Sequence, residues 1–288
     1  MTDSTNKIYA IVNRKGGVGK STTAINLAHG LSKRLLREED GETVADGHVL
    51  LVDFDPQGNC AMALGVERGD ADLGELLAGR QDIAESVVSA DKSENGFPRG
   101  NLWLIPSSNS LADAKQEVIL ANFMRMMTAR RNQQEVPLLD ILEGTLGILR
   151  DRFEYIIIDC PPTLDAMSNA VYHFADAAIV PVKVDYLSAA GAAQHVTDIR
   201  QAQTEGIEIN IDLIVPTFYA KRQLLDRQIL AALKETYGAQ RVTEPIPKAQ
   251  SVAEAPAYEG GATLFEYAPT SPATVAYQSL VDRIFEHG

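Results

Sequence analysis

Cysteine is scarce in this chain of 288 residues: Cys60 and Cys160 are the two, far apart and without CxxC spacing. Neither a disulfide framework nor a metal cluster is suggested, and the paired cluster cysteines that an iron–sulfur reductase needs are missing. Long apolar runs are missing as well. No stretch of about 18 apolar residues occurs, and the start, Met1 to Lys7, is short and polar with no hydrophobic region behind it, so neither a membrane span nor a secretion signal is predicted. Aromatic residues make up only 6%, and the single Trp103 reads as core rather than as a stacking platform. Positive charge is outweighed too, with 26 Lys and Arg against 39 Asp and Glu and a net charge of −13. Such a balance disfavours a generally sticky nucleic-acid binder while leaving room for a local basic patch. These absences describe a reduced, cytoplasmic chain, 45% hydrophobic and long enough to bury one large α/β core.

What is present is concentrated first in Arg14-Lys15-Gly16-Gly17-Val18-Gly19-Lys20-Ser21-Thr22. An apolar run, Ile8 to Val12, precedes this stretch, and Ala24, Leu27, Ala28, Leu31 and Leu35 follow at helical spacing, so the order is strand, glycine loop, helix. Without Cβ atoms in the way, the glycines let backbone N–H groups turn inward, and the positive end of the following helix adds to the cradle. The spacing suits polyphosphate: Lys20 reaches the β and γ phosphates and the Ser21 hydroxyl ligates Mg²⁺. A dinucleotide loop is disfavoured, because its sixth place is Thr22 rather than glycine or alanine.

Two further apolar runs end in acids. Val49 to Val52 leads to Asp53 and Asp55, and Tyr155 to Ile158 leads to Asp159. Ligands of open parallel sheets sit at the carboxyl ends of strands, which would bring these carboxylates towards the phosphates; the first two also suit a turn cap. Strands are also expected at Leu102–Pro106, Ala177–Val182 and Ile211–Tyr219, short helices between Leu73 and Val88, and a mostly helical stretch from Ala112 to Gly147 interrupted near Pro137. Arg37 to His48 reads as a solvated insertion, Asp91 to Arg99 as turn-rich and exposed, and the segment holding Lys221, Arg222, Arg227 and Lys234 as a basic helix.

Arg14 stands where the usual phosphate-binding loop has its first glycine, and Lys15 precedes the paired glycines. This departure resembles the deviant Walker A loop, KGGxGK followed by Ser or Thr, of the ParA/MinD family of ATPases. Asp53-Phe54-Asp55-Pro56-Gln57-Gly58-Asn59 resembles the family's DxDPQGN, Ile157 to Pro162 its IIDxPP, and Pro216-Thr217-Phe218-Tyr219 its strand ending in PTMY or PTMF. The C-terminal segments around Pro245, Pro256 and Pro269 are similar to those of partition ATPases in particular.

The resemblance implies an α/β P-loop NTPase fold, a mostly parallel twisted sheet flanked by helices on both faces, as a single domain over residues 1–288 without an N-terminal helix-turn-helix extension. It implies ATP and Mg²⁺, with Lys15, Gly16, Gly17, Val18, Gly19, Lys20, Ser21, Thr22, Asp185, Pro216 and Thr217 at the nucleotide and Ser21, Asp159 and Asp53 at the metal. Lys20 and Asp55 would be catalytic, Asp55 by orienting water, and Lys15 by crossing to the partner subunit's nucleotide. An ATP-dependent homodimer on nonspecific DNA, nucleoid-associated and stimulated by a ParB-like or cargo adaptor protein, is the implied setting. Arg200, Arg222, Arg227, Lys234 and Lys248 are the candidate DNA contacts. Positioning of a protein cargo such as a carboxysome or chemoreceptor cluster stays open, as does a scaffold that binds nucleotide without hydrolysing it. A MinD-like membrane ATPase fits less well, since the end of the chain from Ala276 has one arginine against two acids.

Overall fold

Apolar strands with no polar interruption must be covered on both faces, and here they stack at the centre of one sheet. The computed structural model describes residues 6–128, 138–163, 166–184, 209–258 and 260–287; Asp185 and Arg200 lie outside them. Along the chain run β1 (Lys7–Ile11), α1 (Lys20–Arg34), β2 (Leu36–Glu39), β3 (Glu42–Ala45), β4 (Val49–Asp53), α2 (Asn59–Leu64), α3 (Leu73–Leu77), α4 (Ile83–Ser86), β5 (Val88–Ser89) and β6 (Leu102–Ile105). Then come α5 (Ser110–Thr128), α6 (Ile141–Leu146), β7 (Tyr155–Asp159), α7 (Ala166–Phe174), β8 (Ala177–Lys183), β9 (Asn210–Thr217), α8 (Leu224–Tyr237), α9 (Gln250–Glu254), α10 (Leu264–Tyr267) and α11 (Pro272–His287).

The main sheet has seven strands in the order β5-β6-β4-β7-β1-β8-β9. All its pairs are parallel except β5 with β6. Alternate residues of each central strand feed two separate cores: Ile8 and Ala10 join the layer of α5 and α7, while Tyr9 and Ile11 join that of α1 and α11. Helices thus flank both faces, as the sequence predicts. Register decides what meets at the carboxyl edge, where Asp53 of β4 pairs with Asp159 of β7, and Asp159 in turn with Ile11, the last residue of β1.

α1 is buried along most of its length because α11 covers the side turned away from the sheet. That approach is close enough to require Gly30, since a side chain there would collide with Val281 and Phe265. No helix among the described residues is long and apolar enough to cross a membrane.

Several local expectations are corrected. The insertion after α1 is exposed, but it folds as an antiparallel hairpin around Asp40-Gly41, both at positive φ, the turn that an Asp-Gly pair favours. Arg99 is not exposed: it is 1% accessible, because its partners arrive from the far end of the chain. The basic helix is not basic either. Lys221 and Arg222 precede α8, whose own Arg227 and Lys234 are balanced by Asp226 and Glu235. The helical expectation over 112–147 is met by α5 and α6, and Pro137 lies outside the described residues.

Candidate functional site

The glycine loop leaves β1 through Asn13, a buried residue that the sequence reading passed over. Its side-chain oxygen accepts the Lys15 N–H at 2.9 Å and its amide donates to the Pro181 carbonyl at 2.8 Å, tying the loop's first turn to β8. Gly17 (φ 70°) and Gly19 (φ 91°) take left-handed conformations that a side chain would resist, and the space beside Gly16 and Gly17 is open. α1 then begins without a side-chain cap and without an acid in its first turn, which leaves its first N–H groups and its dipole for an anion. Lys20 folds back to donate to the Lys15 carbonyl at 3.3 Å. It is buried, and burial pulls its pKa down despite the charges of Asp159 and Asp55. A cation held in this way gains from a nearby anionic ligand.

Opposite the loop stand the acids. The carboxylates of Asp53 and Asp159 and the sulfur of Cys60 offer donor atoms within 4.8 Å of one another, all buried. Cys60, on the first turn of α2, gives its backbone N–H to Asp53 Oδ2 at 3.0 Å and its thiol hydrogen to Asp159 Oδ2 at 3.5 Å. The nearby Ser21 hydroxyl works against the rise of the Asp159 pKa. Burial pushes the pKa of both carboxyls up, and the charge of Asp53 pushes Asp159 further. Asp159 Oδ1 is nevertheless a buried oxygen without a hydrogen-bond partner. Two desolvated carboxylates, an adjacent hydroxyl and an orphaned oxygen form the hard donor set that fits a divalent cation such as Mg²⁺.

Asp55 sits at the surface of the same cleft. Its N–H donates to Asp53 Oδ1 at 3.1 Å and its own carboxylate accepts the Gln57 N–H at 3.0 Å. Ser107, at the end of the strand-to-helix connection before α5, donates to the Asp55 carbonyl at 2.5 Å. The loop carrying Asp55 is therefore held from two sides while its carboxylate stays near solvent.

Beyond the start of α1 opens a cavity of about 590 Å³, lined among others by Gly19, Thr22, Thr217, Phe218, Ile246 and Lys248. Its size and apolar walls suit a small ligand ring. Thr217 donates its hydroxyl to the Val18 carbonyl at 2.8 Å, so β9 is latched to the phosphate loop. Pro216 remains buried in the sheet, and its carbonyl accepts the Ile246 N–H. Phe218 is one of two non-glycine residues at positive φ among the described residues, and Lys183 lies 5.6 Å from its ring centre. Strained backbone of this kind collects at ligand sites.

The structure thus brings Lys15, Gly16, Gly17, Val18, Gly19, Lys20, Ser21 and Thr22 together with Asp53, Asp55, Asp159 and Thr217. The candidate DNA contacts are more scattered. Arg222, ahead of α8, and Arg227 are exposed, and Lys234, about two turns beyond Arg227, is half-buried. Lys248 is exposed at the cavity mouth, and its N–H donates to the Tyr219 carbonyl, which places it beside the loop of Lys221 and Arg222.

Comparison with known proteins agrees with this geometry. Residues 6–215 match a family described as an AAA domain. The chromosome-partitioning ATPase Soj of Thermus thermophilus is 32% identical over 278 residues, 96% of this chain and 94% of that protein. The sporulation initiation inhibitor protein Soj of Bacillus subtilis is 30% identical over 285 residues, 98% of this chain and 99% of its own length. Among solved structures, an ATP complex of Cyanothece McdA shares the fold with a TM-score of 0.76 at 24% identity, covering 98% of this chain and 97% of that one.

Proposed function

The chain belongs to the ParA/MinD family of ATPases, and from that premise we propose that it is a Mg²⁺-dependent partition ATPase whose ATP-bound dimer holds DNA without sequence preference until a cargo-bound partner triggers hydrolysis. The observation that carries the reading is the uncapped glycine cradle facing a desolvated carboxylate pair that has an oxygen to spare. Residues 1–288 act as one domain in this reading, and the DNA-bound state makes the protein cytoplasmic and nucleoid-associated.

In phosphoryl transfer the protein's part is positioning and charge stabilisation. The amides of Gly16 to Gly19 and the first turn of α1 hold the phosphates, with Lys20 against the β and γ oxygens and Thr22 at the helix start. Ser21, Asp159 and Asp53 are the residues that would hold Mg²⁺, which would supply neutralisation of phosphate charge. Asp55 orients the attacking water. Lys15 extends to the nucleotide of the partner subunit, so dimer closure and hydrolysis become one event. Thr217 and Phe218 line the base cavity, and Asp185 completes the nucleotide contacts.

DNA contact falls to Arg222, Arg227, Lys234 and Lys248, with Arg200 added from outside the described residues. Against a net charge of −13, such binding depends on these cations sharing one face and weakens steeply with salt. The relatives named chromosome-partitioning favour this branch. A membrane-surface role finds less support in α11, because Tyr277, Leu280, Val281 and Ile284 spend its apolar face in the core.

The test is binding to nonspecific duplex DNA with ATP, with ADP and without nucleotide, at two salt concentrations. Wild type should bind with ATP only, and the double variant Arg222→Ala, Arg227→Ala should not bind. Dimerisation by ATP without DNA binding in any state would overturn the DNA track and point to a protein cargo.

A further inference from the structure

Asp53 and Asp159 have a third neighbour that Mg²⁺ chemistry does not need. Cys60 is completely buried, and its sulfur lies with both carboxylates inside one 4.8 Å triangle. The other cysteine is placed differently: the Cys160 thiol donates to the Ile158 carbonyl at 3.8 Å. A cysteine between two acids differs from a small core hydrophobe, because two oxygens and one sulfur form a mixed hard and soft donor set. Asp159 Oδ1 supplies the independent observation, a fully buried carboxylate oxygen without a partner.

We propose that Asp53, Cys60 and Asp159 form a binding site for a thiophilic divalent cation, of the zinc or cadmium class, that excludes Mg²⁺ when filled. The inference rests on the reading of the two aspartates as the Mg²⁺-holding pair and adds the sulfur to it. Mg²⁺ gains little from sulfur, whereas zinc-class ions bind thiolate strongly and outrank Mg²⁺ at sites that offer it. Tetrahedral coordination with metal–oxygen distances of about 2.0 Å and metal–sulfur distances of about 2.3 Å puts donors about 3.5 Å apart. The Cys60 Sγ to Asp159 Oδ2 separation of 3.5 Å already meets that value. The Asp53 donor oxygen lies within 4.8 Å of the other two and has to move inward on binding. As the sulfur–metal bond forms, the thiol proton leaves to solvent and no electron changes hands. The fourth position is left to water or to the nearby Ser21 hydroxyl.

Such a site makes the enzyme answer to soft metal: occupancy ties up the carboxylates and stops hydrolysis, and a chelator restores it. The probe is Cd²⁺, titrated into the reduced, nucleotide-free chain while the ultraviolet sulfur-to-cadmium charge-transfer band is followed. Wild type and Cys160→Ala should develop the band to one equivalent per chain. Cys60→Ala and the size-matched Cys60→Ser should lose it and bind Cd²⁺ more weakly by at least about tenfold, the least that losing even an outer-shell partner of a metal site costs. Thermal melts of both Cys60 variants establish that they are folded. An absent band in wild type, or an unchanged band in a folded Cys60 variant, overturns the proposal. Hydrolysis with Mg²⁺ alone, measured on the same wild-type preparation, separates the two readings. Loss of turnover with the band intact removes the ATPase reading, and turnover without the band removes the cadmium site.

Discussion

Arg99 and Asp159 are both fully buried, yet one has all three guanidinium nitrogens engaged while the other keeps an oxygen without a partner. Arg99 Nε and Nη2 grip both carboxylate oxygens of Glu266 at 2.7 and 2.8 Å, Nη2 also reaches the Gly261 carbonyl at 3.0 Å, and Nη1 the Leu64 carbonyl at 2.8 Å. Thr263 at the start of α10 gives its N–H to the same Glu266, and His29 of α1 meets the Thr263 hydroxyl at 2.6 Å. This cluster is closed: charge matches charge, and it binds three distant segments into one body. The cluster of Asp53, Cys60 and Asp159 gathers like charges and is left open. A buried polar network that is complete reads as architecture, and an incomplete one as a place reserved for a ligand.

Substitutions should separate the two kinds of cluster. At the open site, Lys20→Ala is expected to lower hydrolysis by on the order of a hundredfold to a thousandfold with no loss of melting temperature, because a desolvated cation is being removed. Steady-state phosphate release and a thermal melt check both halves, and a variant that unfolds would erase the distinction drawn here. At the closed site, Arg99→Ala strands Glu266 without its cation. It should cost about 3–5 kcal/mol in urea denaturation while the folded fraction still binds nucleotide.

Acid sharpens the contrast further. Burial lowers the pKa of His29 from 6.5 to about 4, so the folded state binds fewer protons than the unfolded chain between those values. The stability this provides is complete above pH 6.5 and is lost as pH falls towards 4, a change of about 3 kcal/mol for that shift. A His29→Asn variant should lack that acid limb in denaturation curves taken across pH. The open site has the opposite sign. Its carboxyl pKa values are raised by burial, so its stability is present in acid and declines as pH rises through them. Asp159→Asn should flatten this decline, which runs between pH 3.8 and about 7, in the nucleotide-free protein, and an unchanged slope would mean that the pair is not strained.

The two carboxylates of the open cluster were legible in the sequence, whereas its Cys60 and the closed cluster were not. Lys20, Ser21, Asp53 and Asp159 each end or begin an element whose pattern is local, Asp55 follows two residues after β4, and the parallel sheet brings strand ends together without further instruction. Arg99 depends on Glu266, 167 residues further on, and in isolation looks like a turn residue. Asn13 and the positive φ of Phe218 escaped for a related reason, since backbone conformation and an Asx contact to the loop are not written in residue type. Only the Asp-Gly pair of the hairpin carried a readable signal that the sequence reading did not use.

The latch from Thr217 to Val18 has a mechanical consequence. The outermost parallel strand of a sheet is ordinarily the first to fray, and the outer side of β9 carries only short contacts with residues 241–246, among them the Ile214–Val242 bridge. Here the last residue of that strand is fastened to the phosphate loop and borders the cavity beside it, so loosening at the rim of the sheet is transmitted to the grip on the ligand. Occupying the cavity should in turn stiffen the rim, joining the most peripheral strand to the most central loop.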